Sequence, residues 1–186
     1  LGIPPLAVVF IWEEFMAGRK DYKNKPLISI TDGKHIGEVK DLYLDPQLRQ
    51  IGAVYVRSEG LISRKNFVVR REDIKVFGED VWLVSNAEVV VDLKELPNAA
   101  DLIKIGDVDG RELVTEGGTK VATVSDVLLN PDGSVLGFTL GKVYAQGPVF
   151  ERKAIHRDAV LNVGDDKIPM KVDLPKAEML AVGQDA

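Results

Sequence analysis

Residues 25–56 read KPLISITDGKHIGEVKDLYLDPQLRQIGAVYV, and the turn residues in this stretch decide the fold. Residues 27–30 form a short apolar strand, and Thr31-Asp32-Gly33-Lys34 is a turn in which Gly supplies the backbone freedom. A second strand covers 36–44 and is closed by Pro46, which has no N–H to give to a ladder. Residues 51–57 follow, with Ile51, Ala53 and Tyr55 on one face and Gly52, Val54 and Val56 on the other. A run that is apolar on both faces is covered on both sides, so this strand belongs in the middle of its sheet. Further on, 67–69 is a strand, Arg71-Glu72-Asp73 a tight link, and 74–77 and 81–84 flank Gly78-Glu79-Asp80 as a hairpin. Six short strands bounded by turn residues make an all-β unit of the small-barrel or sandwich kind.

The same punctuation then returns. Gly33, Val39, Asp41, Leu44, Pro46, Gly52 and Asp73 recur as Gly118, Val124, Asp126, Leu129, Pro131, Gly137 and Asp158, each 85 residues later. Solenoid units are about 20 to 50 residues long, so this spacing is one small domain copied once. In the second copy 121–129 matches the long strand and 135–140 the central one, joined through Asn130-Pro131-Asp132-Gly133, a strong hairpin signal. Residues 151–163 are assigned to the strands that follow. Gly164-Asp165-Asp166-Lys167 stands for Gly78-Glu79-Asp80 with one residue inserted. The chain accordingly divides into an apolar N-terminal segment 1–20, a first barrel 21–84, a linker 85–101, a second barrel 102–173 and a tail 174–186. The linker carries Val89, Val90, Val91, Leu93 and Leu96, a composition for packing rather than floating. The tail can form one or two helical turns, with Pro175 tolerated in the first.

Composition removes several functions. With no cysteine among 186 residues, disulfides, thiolate catalysis and thiolate metal sites are excluded, and a reducing, cytoplasmic setting fits. A net charge of −5 argues against a protein built to grip a phosphate backbone. Arg64-Lys65 and Arg70-Arg71 flank Phe67-Val68-Val69, and Arg152-Lys153 and His156-Arg157 flank Ala154-Ile155. Glu72, Asp73, Glu151 and Asp158 interleave with them, so these clusters read as solvated strand edges and no nucleic-acid partner is expected.

The residues that could carry chemistry have simpler roles. Asp41 and Asp126 interrupt apolar strands, where a carboxylate accepts a nearby backbone N–H, and Asp73 and Asp158 suit Asx-turns. His35 aligns with Lys120 and His156 with Arg71 at the 85-residue offset, so neither histidine recurs, and each is read as a surface residue. Asp107-Val108-Asp109-Gly110 opens like a calcium loop, but Glu112 stands where Gly is needed and Gly118 where the final acid is needed, so it is read as a plain turn. Phosphate-binding glycine loops, nucleophile elbows and zinc-helix motifs are missing from the sequence. No catalytic residue, cofactor site or metal site is expected, and the chain is not read as an enzyme.

The string quoted at the outset, with the later EDIKVFGEDVWLV, resembles the PRC-barrel family, the small β-barrel of the photosynthetic reaction centre H subunit and of ribosome maturation factor RimM. The resemblance implies two tandem PRC-type barrels, with Ala122 in the second where the first has Gly37. It implies an interaction or scaffold module, because the family as a whole shares no catalytic residues. The expected partner is another protein or another copy of this chain. The alternative is a membrane-associated accessory subunit resembling the reaction centre H subunit, suggested by IPPLAVVFIW at residues 3–12. That stretch falls short of the about 20 apolar residues a spanning helix needs, and it is expected to pack on the first barrel or on a neighbouring copy.

Overall fold

The computed structural model describes residues 18–180; residues 1–17, on which the expectation for the apolar N-terminal stretch falls, and 181–186 lie outside the described residues. The chain is mostly β and forms two compact units, residues 19–105 with 131–134, and residues 106–130 with 135–180.

In the N-terminal unit a helical turn, α1 (Arg19–Tyr22), precedes β1 (Pro26–Ser29), β2 (His35–Glu38), β3 (Asp41–Leu44), β4 (Ile51–Glu59), β5 (Lys65–Arg70), β6 (Ile74–Phe77) and β7 (Trp82–Val84). The segment read as a linker adds β8 (Val90–Asp92) and 3-10 turns at Leu93–Glu95 and Ala99–Asp101, and β9 (Ile103–Lys104) follows. One sheet runs β2-β1-β7-β6 and the other β8-β5-β4-β3-β9, so the strand apolar on both faces is central, as its pattern required. The stretch 36–44, read as one strand, is broken at Val39 and Lys40. The break has a local cause: Val39 N donates to Lys25 O and Lys40 N to Tyr55 O, so successive amides serve different neighbours and the chain crosses from one sheet to the other. Tyr43, Ala53, Val68 and Leu96 form a buried cluster against which Val91, Leu93 and Leu102 pack. Each fully buried Val or Leu here is worth about 1.5 to 3 kcal/mol, and that burial holds 85–105 to the sheet. Residues 131–134 complete this unit, where Ile51 N donates to Gly133 O and Arg71 Nη2 to Asp132 O.

The C-terminal unit comprises β10 (Glu112–Thr115), β11 (Lys120–Leu129), β12 (Val135–Val143), α2 (Pro148–Arg152), β13 (Ala154–His156), β14 (Val160–Asn162), β15 (Met170–Val172) and α3 (Leu174–Met179). Its single sheet runs β13-β12-β11-β10-β15-β14, and its two edges are consecutive in the chain, joined by the 3-10 turn Arg157–Ala159. The order repeats that of the first copy, β5-β4-β3/β2-β1-β7-β6, with the broken β2/β3 replaced by the continuous β11. Each copy holds one parallel pair, Leu27 with Trp82 and Leu113 with Met170. The start of 151–163, assigned to strands, is instead the end of α2: Gly147 at φ +126 and Pro148 at the first helical position start a helix that buries Val149 and Phe150. The tail forms α3, capped where Asp173 Oδ1 accepts from Lys176 N.

The offset between the copies is not constant. Equivalent cross-strand partners place Leu27 with Leu113, Ala53 with Gly137, Arg70 with His156 and Trp82 with Met170. The offset is thus 86 at β1, 84 at β4, 86 at the end of β5 and 88 at β7. The cause is turn length: six residues separate Leu44 from Ile51, but five separate Leu129 from Val135. Gly52 therefore corresponds to Leu136 rather than Gly137, and Asp73 to Ala159 rather than Asp158.

Candidate functional site

The residues that do correspond serve the barrel. Gly33 and Gly118 occupy the same turn at φ +68 and +83, and in each the turn closes on the end of the first strand, through Gly33 N to Ser29 O and Gly118 N to Thr115 O. Asp41 and Asp126 accept from the next residue's amide, Leu42 N at 2.9 Å and Val127 N at 2.8 Å, as expected of a carboxylate inside a strand. Asp73 departs from the Asx-turn reading: its Oδ2 receives Arg70 Nε at 3.0 Å. Asp158 presents its backbone N–H to His156 Nδ1 at 3.1 Å, so His156, half-buried and equivalent to Arg70, caps the 3-10 turn. His35 is exposed on β2.

The basic clusters are largely engaged. Arg70 meets Glu72 and Asp73, Arg71 lies over the Phe77 ring, and Arg152 Nε donates to Pro148 O. Arg157, buried, donates to Val160 O.

Two features stand apart from this framework. The first is a cleft of about 330 Å³ in the C-terminal unit, lined by Asp107, Asp109, Glu112, Asp165 and Lys167 around Arg111. Arg111 is 9% exposed and donates to Asp107 O, Val163 O and Gly164 O. Burial pulls its pKa below the usual guanidinium value, while Asp165, Asp107 and Asp166 pull the other way. Asp165 accepts from both Lys167 N and Ile168 N at 2.7 Å, which holds its carboxyl below the usual range. The Asp165 carboxylate builds the turn, and backbone carbonyls hold the buried Arg111 cation beside it. Gly110, at φ +78, ends the Asp107-Val108-Asp109 stretch as a turn residue. Among the described residues no group of three or more His, Asp or Glu is placed to hold a metal ion.

The second feature is the β4–β5 hairpin. Glu59 pairs with Lys65, and the five residues between them include Leu61 and Ile62, which are 105% and 102% exposed. Gly60, at φ +95, turns so tightly that a Cβ there would lie 2.3 Å from Ser63 O. The corresponding connection in the C-terminal unit contains α2 instead, with Tyr144 beneath Lys120 Nζ at 4.8 Å.

Compared with known families, the chain matches the PRC-barrel domain twice, over residues 16–91 and 100–174. It belongs to the PRC-barrel family. A search of curated proteins finds no match. With both PRC barrels in register, a pairing hidden at the 85-residue offset becomes visible. Lys25 and Arg111 are equivalent, one residue off that offset, and each donates to carbonyls of its barrel's last hairpin turn, Lys25 Nζ to Glu79 O and Arg111 to Val163 O and Gly164 O. Sequence reasoning missed both. A basic residue shortly before the first strand of each PRC barrel was the available signal. Among the described residues no helix is long and apolar enough to cross a membrane.

Proposed function

We propose that this tandem PRC-barrel chain is a non-enzymatic interaction module, which docks another protein or a second copy of itself through surfaces on which its barrels differ. The observation that supports the reading is the division of labour among residues. What the copies share, Gly33 and Gly118, Asp41 and Asp126, Lys25 and Arg111, is spent on turns, strand amides and hairpin carbonyls. What they do not share is exposed: the apolar Leu61-Ile62 tip in one barrel, the acidic rim of Asp109 and Asp166 in the other. Divergent surfaces on a common frame suit recognition of different things, since contacts outside the core are free to change without cost to folding. The test is capture from native lysate, separated into soluble and membrane fractions, followed by cross-linking of the bound protein. The proposal expects a stoichiometric partner cross-linked to one barrel's exposed loops. A substrate consumed by the purified chain, with turnover abolished by a substitution that leaves Tm unchanged, would overturn it.

A further inference from the structure

The β4–β5 tip goes beyond a generic docking role, and we propose that it is a finger that inserts into an anionic lipid surface, Leu61 and Ile62 entering the acyl boundary while Arg64 and Lys65 meet lipid phosphates. Loop tips are ordinarily polar, with Gly, Asn, Asp or Ser at the bend. Here two adjacent large apolar side chains stand fully in solvent at the end of a nine-residue strand, β4. Gly60, at φ +95, sets the backbone at the bend, and the pairing of Glu59 with Lys65 closes the two strands beneath it. The charges immediately beneath the tip are Arg57, Glu59, Arg64 and Lys65. Arg57 is taken up by Glu59 at 2.8 Å and by the Phe67 ring, which leaves Arg64 and Lys65, both exposed, as the facing cations.

Shape decides the occupant. A stable protein interface needs about 800 Å² from each partner, and two side chains on a convex turn supply only a fraction of it. A fluid bilayer needs no concave complement, and an apolar tip flanked by exposed Arg64 and Lys65 has the arrangement of an interfacial anchor. Burying one Leu or Ile changes partitioning by about tenfold or more, and each basic charge near an anionic leaflet by about fivefold.

The chain has no cysteine, so Ile62→Cys in the full-length protein takes a single neutral, environment-sensitive fluorophore. With phosphatidylcholine vesicles containing phosphatidylglycerol, its emission should shift to the blue and gain several-fold in intensity, while the same label at Glu116→Cys stays unchanged. Adding Leu61→Ser should weaken partitioning about tenfold, and Arg64→Glu with Lys65→Glu by about 25-fold or more, with Tm unaltered because all four side chains are exposed. Vesicles that sediment the protein without shifting the Ile62→Cys label would overturn the proposal, since binding would then run through another segment. So would no binding, an equal shift on pure phosphatidylcholine, or a shift without vesicles that rises with protein concentration, which would mark the tip as a contact between copies.

Discussion

Replacing Gly37 by Ala should destabilise the N-terminal barrel although the C-terminal barrel already carries Ala at the equivalent place. Gly37 sits opposite Leu27 across the β1–β2 pair, as Ala122 sits opposite Leu113. Gly37 has φ +152, a backbone region that L side chains rarely adopt, and holding one there costs on the order of 1 to 3 kcal/mol. The added Cβ would also fall 2.5 Å from Val56 Cγ1, a β-branched side chain buried in β4, and overpacking of that kind costs about 1 to 3 kcal/mol. The sum is about 2 to 6 kcal/mol. Trp82, buried and edge-on to Phe77 with ring centroids 4.8 Å apart, reports on this barrel, and Trp12→Phe removes the other tryptophan. Followed by Trp82 fluorescence, the urea midpoint should fall by about 1 to 3 M at an m of roughly 2 kcal/mol/M. A double-mutant cycle with Val56→Ala should return a relieving coupling of about 1 kcal/mol, the part due to collision rather than backbone. A Gly37→Ala midpoint equal to that of the unsubstituted chain would refute both the backbone angle and the contact.

Asp41→Ala and Asp126→Ala should each lower stability by about 1 to 2 kcal/mol in chemical denaturation, because Leu42 N and Val127 N lose their acceptor in a partly buried setting. Arg111→Met should cost about 2 to 4 kcal/mol and Arg111→Lys about half as much, since a lysine keeps one carbonyl bond, as Lys25 does, but cannot span Asp107 O and Val163 O together; equal losses for the two would contradict this geometry. Asp32 should titrate at about 2, held down by the Ser29 hydroxyl and by Lys34. With the folded pKa below the ordinary 3.8, its contribution is present above about pH 4 and is lost as pH falls toward 2, so Asp32→Asn should flatten that part of the acid-stability curve; an NMR titration midpoint near 4 would contradict it.

Much of the fold was legible because its local rules are strong. Gly33, Gly118 and Gly133 mark turns that need positive φ, and 51–57 announces a central strand by being apolar on both faces. Turn glycines, however, do not reveal single-residue length changes. An ungapped comparison matched Gly52 with Gly137, two glycines crowded by different neighbours: a Cβ at Gly52 would meet Leu102 Cδ2 and one at Gly137 would meet Ile155 O. The same slip paired His156 with Arg71 and concealed its role as a cap. Only the end of α2, Glu151 and Arg152, falls in the stretch 151–163 assigned to strands, and Gly147-Pro148 just before that stretch carries the helix-start signal. The exposed tip was the least legible, since Leu61 and Ile62 look in sequence like any buried apolar pair, and only the pairing of Glu59 with Lys65 places them at a bend.

Partner capture per folded molecule, measured alongside Tm, separates the shared residues that hold the barrels from the unshared, exposed residues proposed to dock the partner. Asp126→Ala should lower Tm and leave capture per folded molecule unchanged, whereas charge reversal of exposed, copy-specific positions such as Asp109 and Asp166 should abolish capture at constant Tm. The opposite pattern, capture lost with Asp126→Ala at unchanged Tm and indifferent to every exposed substitution, would mean that the shared residues do the docking.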